Sequence, residues 1–143
     1  MQKAIIFDLD GTLLDTLEDI AISANHALVT LGFEAHEISK YRYFVGEGVI
    51  KLFENIFTSN PQTAEVVMRA VHLFEEHYAK QFQQTTKLYD GVSKLLTFCQ
   101  TRGLKMAILS NKPDSFTKKC ALKYLRQWNF EAVYGAREGV PRK

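Results

Sequence analysis

The sequence predicts an α/β protein with a parallel sheet and a helical insertion after its first strand. Ala4–Phe7 is a short, continuous apolar run of the kind that forms buried parallel strands. Residues 104–109 form a second run of this kind. The long stretch between the two runs has helical apolar spacing, and helix and strand patterns alternate after it.

The first element after the opening strand is an amphipathic helix. Apolar residues recur at three- and four-residue steps over residues 17–31, which is the period of a helix with one buried face. Asp15 or Thr16 is placed to cap its start, and Gly32 is placed to end it. We therefore expect one helix over this segment.

The rest of the insertion is also predicted to be helical. Residues 36–58 favour short helical pieces, interrupted by the Val-Gly-Glu-Gly sequence at 45–48. A longer helix is expected over residues 61–82, with Asn60 as its cap and Pro61 in its first turn, where a missing N–H costs least.

Alternating helices and strands complete the chain. Helical spacing resumes at Val92 and ends at Gly103, and the strand over 104–109 follows. Residues 114–125 predict another amphipathic helix, and residues 130–134 a third, weaker strand. This order favours a layered parallel sheet rather than a bundle or a sandwich.

Composition excludes several classes of function. The chain has 143 residues, of which 46% are hydrophobic and 24% charged, as in ordinary globular proteins. Its formal net charge is +2, and no basic cluster stands out, so neither nucleic acid nor an anionic membrane is expected as a partner.

The cysteines and the N-terminus indicate a reducing compartment. Cys99 and Cys120 lack the spacing of a zinc site and are expected to be buried thiols. The first acid, Asp8, comes too early for a signal peptide, and no run is long enough to span a membrane. We expect a cytoplasmic protein with reduced cysteines.

The candidate chemistry follows the first strand directly. Asp8 and Asp10 lie where a parallel strand presents its carboxyl end, and a two-residue period puts both carboxylates on one side. Such a pair favours a hard cation, most naturally Mg²⁺. Gly11 permits a turn that leaves N–H groups and the Thr12 hydroxyl for an anion. Two carboxylates that merely cap a turn are an equally weighted alternative from spacing alone.

The whole string of motifs resembles the haloacid dehalogenase-like hydrolases. Asp-Leu-Asp-Gly-Thr at 8–12 is similar to their first motif, and Ser-Asn-Lys-Pro at 110–113 to their second. Asp-Gly at 90–91 resembles the return from cap to core. Residues 15–20 and 41–49 are similar to the phosphoglycolate phosphatase branch of this family.

The resemblance implies an architecture as well. It implies a partial Rossmann-like three-layer core with a parallel sheet, made from residues 1–15 and 87–143. Residues 16–86 would form a helical cap inserted after strand 1.

The resemblance also implies phosphomonoester hydrolysis through an aspartyl-phosphate, with Mg²⁺ as cofactor. Asp8 would be the nucleophile and a metal ligand, and Asp10 would be the acid/base and would bind the metal through its carbonyl. Ser110 would hold a phosphoryl oxygen. Lys143, after Gly-Val-Pro-Arg, is the candidate for the family's lysine, with a solvated terminal lysine as the alternative.

The implied substrate is a small phosphate ester such as 2-phosphoglycolate. Gly11, Thr12 and Asn111 are the expected phosphate-binding residues of the core. Arg42 and the loop at Gly46 are the expected substrate-binding residues of the cap, with a solvated helix face as the alternative for Arg42.

Two features of the sequence favour a competing hypothesis. The acidic pair that forms the fourth family motif has no counterpart, and the sheet lacks the strands expected on the far side of strand 1. The alternatives are thus an inactive N-terminal fragment and a module that binds phosphate or Mg²⁺ without turnover. An unpaired edge at Ala4–Phe7 further predicts a strand-mediated or domain-exchanged homodimer.

Overall fold

The computed structural model describes residues 3–143. They divide into two compact units: one contains the residues up to Asp15 together with Lys87–Lys143, and the other is Thr16–Thr86. We call them the sheet unit and the helical unit. In chain order the elements are strands β1 (Ala4–Phe7) and β2 (Leu14–Asp15), helix α1 (Leu17–Thr30), a 3₁₀ helix (Ile38–Tyr43), α2 (Val49–Ile56), a second 3₁₀ helix (Phe57–Ser59), α3 (Ala64–Gln81), β3 (Lys87–Leu88), α4 (Val92–Thr101), β4 (Lys105–Pro113), α5 (Asp114–Tyr124) and β5 (Ala132–Ala136).

A parallel three-stranded sheet organises the sheet unit, in the order β1-β4-β5. Ala4 pairs with Lys105 and Phe7 with Ile108, so β1 and β4 run in register to the same end. Helices α4 and α5 pack against the sheet, as the alternating pattern predicted. The α/β class and the parallel core are therefore confirmed.

Strand β4 is the central strand of this sheet and is longer than predicted. It continues past residue 109 to Pro113, and its side chains alternate between buried and exposed positions. Met106, Ile108 and Ser110 lie on the buried face. Burial of an apolar side chain of this size contributes about 2 kcal/mol to stability.

Strand β1 is less buried than the apolar run predicted. Phe7 is buried, but Ile6 is 68% exposed. Among residues 3–143, β4 is the only strand that pairs with β1. The expectation of a fully buried strand is therefore wrong for this part of the chain, because one edge and part of one face are uncovered.

A small antiparallel ladder was not predicted. Leu14 pairs with Leu88 and Asp15 with Lys87, which joins β2 to β3 within the sheet unit. Strands of two residues carry no readable periodicity, so the sequence gives no signal for them. The ladder closes the sheet unit at the two points where the chain leaves it and returns to it.

The helical unit consists of three α-helices and two 3₁₀ helices in its described residues. Helix α1 packs on α3, and α2 packs on α3 as well. Tyr41, Phe53 and Tyr78 are among its most deeply buried side chains. Burial raises the pKa of the Tyr41 phenol, whose hydroxyl donates to Asn25 Oδ1 at 2.7 Å.

The start of α3 differs from the prediction. The helix begins at Ala64 rather than at Pro61, and its cap is Thr63, whose side chain accepts a hydrogen bond from the Val66 N–H at 3.3 Å. Asn60 instead ends the preceding 3₁₀ helix. The prediction of Asn60 as the cap was wrong because the sequence offers two capping residues close together.

Two further predictions concern the cysteines and membrane-spanning segments. Cys99 and Cys120 are buried free thiols, as predicted. Within residues 3–143 no helix is long and apolar enough to cross a membrane.

Candidate active site

The carboxyl end of the parallel sheet brings the first two motifs together. Because Phe7 pairs with Ile108, Asp8 follows beside Leu109, at the point where β1 ends and β4 continues to Pro113. Leu9 is fully buried, whereas Asp8 and Asp10 on either side of it are partly exposed. Leu9 thus anchors the segment and leaves both carboxylates facing away from the core.

Asp8 is held by two donors. The Leu9 N–H donates to Asp8 Oδ1 at 2.8 Å, and Lys143 Nζ lies 2.5 Å from the same oxygen. Both contacts are made to Oδ1, so they restrain the carboxylate through one of its two oxygens.

Lys143 lies at this edge of the sheet rather than in bulk solvent. Its ammonium donates to the Leu109 carbonyl at 2.9 Å, and its N–H donates to Asn111 Oδ1 at 3.1 Å. The structure therefore places Lys143, Asn111 and Asp8 next to one another. Its side chain is 31% exposed, so the ammonium also reaches the solvent side of the site.

Asp10 forms an ion pair that the sequence analysis missed. Lys112 Nζ lies 3.1 Å from Asp10 Oδ1 and 3.2 Å from Oδ2, and the Lys112 side chain is only 4% exposed. The two-residue alternation from Met106 through Ile108 and Ser110 reaches Lys112, so the strand period could have placed this lysine on the buried face.

Ser110 lies beside these charges. It is buried, and its hydroxyl oxygen accepts a hydrogen bond from the Lys112 N–H at 3.1 Å. An oxygen that accepts from the main chain still has its own proton to donate. Ser110 is thus placed to donate to an anion at this edge.

The backbone at Gly11 and Thr12 differs from the expectation. Gly11 has a φ of 77°, in the left-handed region that glycine permits, so the expected turn is present. Its N–H donates to the Leu14 carbonyl at 2.9 Å, and the Thr12 N–H donates to the Leu9 carbonyl at 3.2 Å. The expectation that these two N–H groups are free for an anion is wrong, because they close the turn that follows Asp10.

Two lysines balance the negative charge of the carboxylate pair. Two close carboxylates need compensating charge, and two ammonium groups supply it: Lys143 at Asp8 and Lys112 at Asp10. The carboxylate pair by itself therefore does not require a metal.

The residues present nevertheless fit Mg²⁺. This ion is commonly held by one or two carboxylates, with water and phosphate oxygens completing the shell. The Asp8 carboxylate offers one such hard ligand and the main-chain carbonyl of Asp10 offers a second oxygen, and both residues are partly exposed. Residues 3–143 contain no cluster of three or more His, Cys, Asp or Glu side chains that could hold a metal ion.

Tyr89 is a further polar side chain associated with these acids. Burial is the main reason why the pKa of its phenol is raised, and the negative charges of Asp15 and Asp10 raise it further. The shift reinforces the protonated state that a phenol already has over the physiological range.

The cap candidates lie in the helical unit. Arg42 Nε donates to the Ser39 carbonyl at 3.0 Å, and its guanidinium lies 5.2 Å from the centre of the Tyr43 ring. Gly46 adopts a φ of 124°, which favours glycine at this position. Both residues are exposed, Arg42 in the 3₁₀ helix Ile38–Tyr43 and Gly46 in the loop after it.

The fold and the site together define a class of protein. An open parallel sheet with two acids after its first strand, a serine and two lysines at the same edge is suited to handling an anionic substrate. Comparison with known proteins makes this class specific, because a family profile described as haloacid dehalogenase-like hydrolase matches residues 5–141. The chain belongs to this family.

Curated relatives carry related names. A phosphoglycolate phosphatase from Nitrosospira multiformis is 34% identical over 118 residues, which covers 80% of this chain and 52% of the relative. A phosphoglycolate phosphatase from Vibrio cholerae is 34% identical over 119 residues, which cover 53% of that relative. A 5′-nucleotidase from Pseudomonas aeruginosa is 28% identical over 132 residues, which cover 58% of that relative. The chain spans about half the length of these relatives.

Solved structures agree on the fold. A Lactobacillus delbrueckii protein, described as a candidate phosphoglycolate phosphatase, superposes with a TM-score of 0.91 at 25% identity; 100% of this chain and 69% of that one are covered. A haloacid dehalogenase-like protein from Streptococcus pneumoniae gives a TM-score of 0.83 at 22% identity. The superposition covers 98% of this chain and 64% of that one. At this identity the second comparison speaks for the fold alone.

Proposed function

We propose that this chain contributes the nucleophile, the acid/base and the phosphate-binding groups of a Mg²⁺-dependent phosphomonoester hydrolase. The observation that carries the proposal is the pairing of Asp8 with Lys143 beside a second carboxylate, Asp10, at the carboxyl end of the sheet. A cation at the nucleophile lets an anionic ester approach a carboxylate that would otherwise repel it.

The first half of the reaction forms an aspartyl-phosphate. Asp8 Oδ2 attacks phosphorus while Oδ1 stays bonded to Lys143 and Leu9. A bond forms between Oδ2 and phosphorus, and the bond from phosphorus to the ester oxygen breaks. Asp10 enters this step as the carboxylic acid, which weakens its ion pair with Lys112, and gives its proton to the leaving oxygen, which departs as an alcohol.

The second half regenerates the protein. Asp10, now a carboxylate, accepts a proton from a water molecule that attacks the phosphorus. The bond between phosphorus and Asp8 breaks, and inorganic phosphate leaves. One residue thus serves as acid in the first step and as base in the second.

Lys143 and Ser110 stabilise the charge that the phosphoryl group carries between these steps. The Lys143 ammonium, which contacts Asp8, can bind a non-bridging oxygen from the same position. Ser110 donates its hydroxyl proton to another, since its oxygen already accepts from the Lys112 N–H. Asn111 orders the Lys143 main chain through its side-chain oxygen. Preorganised donors of this kind commonly contribute about 3 kcal/mol each.

Asp8 and the Asp10 carbonyl would hold the Mg²⁺ ion. When bound, the ion neutralises charge on the phosphoryl oxygens and aligns the ester with its nucleophile. In the proposed arrangement Lys143 supplies the remaining positive charge at the nucleophile.

The proposed substrate is a small phosphate ester such as 2-phosphoglycolate. The names of the relatives support this class, and Arg42 suits a second anionic group on such an ester. The Gly46 loop would contribute main-chain contacts. A soluble metabolite in the cytoplasm is the partner proposed here, rather than a nucleic acid or a membrane.

Phosphate release tests the function directly. We expect the purified chain to release phosphate from 2-phosphoglycolate in the presence of Mg²⁺ and to lose this activity in EDTA. A nucleoside 5′-monophosphate and p-nitrophenyl phosphate serve as comparison substrates. Mg²⁺-dependent phosphate binding without release of product would favour the binding-module alternative, and activity that EDTA leaves intact would contradict the metal requirement.

A further inference from the structure

We propose that Lys112 is a positioning residue: it holds the Asp10 carboxylate in the orientation that proton transfer requires. The inference rests on the proposed function and deepens it, because it assigns a task to a lysine that the roles of Asp8, Asp10, Ser110 and Lys143 leave unused. Its basis is the contact between Lys112 and Asp10, two residues 102 positions apart in the chain.

The geometry of the contact fixes the carboxylate. Lys112 Nζ lies almost equally far from the two oxygens of Asp10, at 3.1 and 3.2 Å. A cation centred between both oxygens restrains rotation of the carboxylate group as well as its distance. The Lys112 side chain is 4% exposed and that of Asp10 is 24% exposed, so water screens the pair only on the Asp10 side.

Hydrogen bonds and close packing hold the main chain of Lys112 in place. Its N–H donates to Ser110 Oγ, and its carbonyl accepts from the Thr117 hydroxyl at 3.2 Å. The Cα of Gly135 lies so close that a Cβ there would come within 2.5 Å of the Lys112 carbonyl oxygen. The main chain from which the Lys112 side chain extends is therefore held in place.

A second interaction keeps Gly135 in place. Asp114 Oδ1 accepts a hydrogen bond from the Gly135 N–H at 2.8 Å, and Asp114 pairs with Lys118 at 2.7 Å. The Gly135 N–H is the main reason that the pKa of Asp114 lies below its usual value, and Lys118 lowers it further. The carboxylate therefore stays ionised, and β5 stays joined to the start of α5.

The two lysines of the site are thereby assigned different tasks. Lys143 lies on the nucleophile, Asp8, and its side chain is 31% exposed, which leaves it able to meet a substrate. Lys112 lies on the acid/base, Asp10, and is almost fully enclosed. A buried ammonium whose main chain is held by hydrogen bonds is suited to orienting a neighbouring side chain. A partly exposed ammonium is suited to contacting a ligand.

A positioning role predicts a specific kinetic signature. Misplacing a reacting group by about 1 Å costs on the order of 100-fold in rate, so Lys112→Met should lower kcat by about that factor. KM should change little, because Lys112 does not line the solvent side of the site. Lys112→Arg keeps the charge and should recover part of kcat, although its larger head does not fit the same space.

The test combines kinetics with an NMR measurement that needs no turnover. Steady-state kcat and KM for p-nitrophenyl phosphate are compared among the wild type, Lys112→Met, Lys112→Arg and the control Lys105→Met, an exposed lysine at the start of the same strand. The ¹⁵N–¹H spectrum of lysine ammonium groups is recorded for the wild type, Asp10→Ala and the control Glu131→Gln. A protected Lys112 ammonium signal is expected, and Asp10→Ala alone should abolish or shift it.

The two readouts separate this inference from the proposed function. A wild type that binds no phosphate and turns over nothing contradicts the function, and the ammonium spectrum then decides by itself whether Lys112 holds Asp10. If the Lys112 signal is unchanged in Asp10→Ala, the inference is overturned. It is also overturned if the wild type is active and Lys112→Met keeps kcat within about threefold of the Lys105→Met control, since correct placement is worth on the order of 100-fold.

Discussion

Asp8→Asn is expected to remove turnover, with a fall in kcat of about 10,000-fold or more, as for other nucleophiles that act as one unit with their neighbours. The amide is isosteric with the carboxylate but lacks the negative charge and the nucleophilic oxygen that the first step needs. It also weakens the contact with Lys143, whose ammonium lies 2.5 Å from Asp8 Oδ1. Phosphate release from p-nitrophenyl phosphate under saturating Mg²⁺ measures the effect.

The matched control for this variant is Glu131→Gln. Glu131 is a carboxylate of the same unit, 63% exposed, and its nearest cation, Lys105, is 4.0 Å away. Its neutralisation should leave kcat within about twofold, because exposed pairs of this kind contribute little. Full turnover by Asp8→Asn would show that Asp8 is not the nucleophile.

Asp19→Ala is expected to destabilise the helical unit by about 3 kcal/mol, since removal of a buried, hydrogen-bonded charge leaves its donors unsatisfied. Asp19 is 2% exposed. Its Oδ1 accepts from the Thr85 N–H at 3.1 Å and the Thr85 hydroxyl at 3.0 Å, and its Oδ2 from the Thr86 N–H at 3.0 Å and the Thr86 hydroxyl at 2.5 Å. The carboxylate thus joins the first turn of α1 to the last residues of its unit.

The neighbouring Glu18 provides the control. It also lies in the first turn of α1 but is exposed, so Glu18→Ala should cost about 0.5 kcal/mol or less through the helix dipole. Urea unfolding followed by a probe in the helical unit compares the two variants. Equal unfolding midpoints for Asp19→Ala and Glu18→Ala would contradict the structural role of Asp19.

Hydrophobic periodicity was sufficient to predict most of the fold. The apolar run at Ala4–Phe7 and the spacing of α1 predict a strand and a helix, and both elements appear within a residue of their expected bounds. The β2–β3 ladder could not be predicted, because two-residue strands are defined by a partner distant in sequence. The continuation of β4 to Pro113 was missed because polar side chains follow residue 109.

The candidate site was predictable to a smaller extent. Asp8 and Asp10 follow an apolar run directly, so the sequence around them is enough to identify them as candidates. The cations that compensate them come from distant parts of the chain, and only the register of β1 against β4 brings Lys112 to Asp10. An acid in the first turn of a helix normally indicates dipole stabilisation, so the burial of Asp19 gave no signal either.

The central claim is that Asp8 carries the phosphoryl group during turnover. The most direct test is to quench the wild-type chain in acid during steady-state hydrolysis and to locate any added phosphoryl group by mass spectrometry of the intact protein and its peptides. We expect one phosphoryl group on the peptide that contains Asp8, lost at alkaline pH as for an acyl phosphate and missing from Asp8→Asn. Turnover with a phosphoryl group on another residue, or with none under conditions that trap an acyl phosphate, would contradict it.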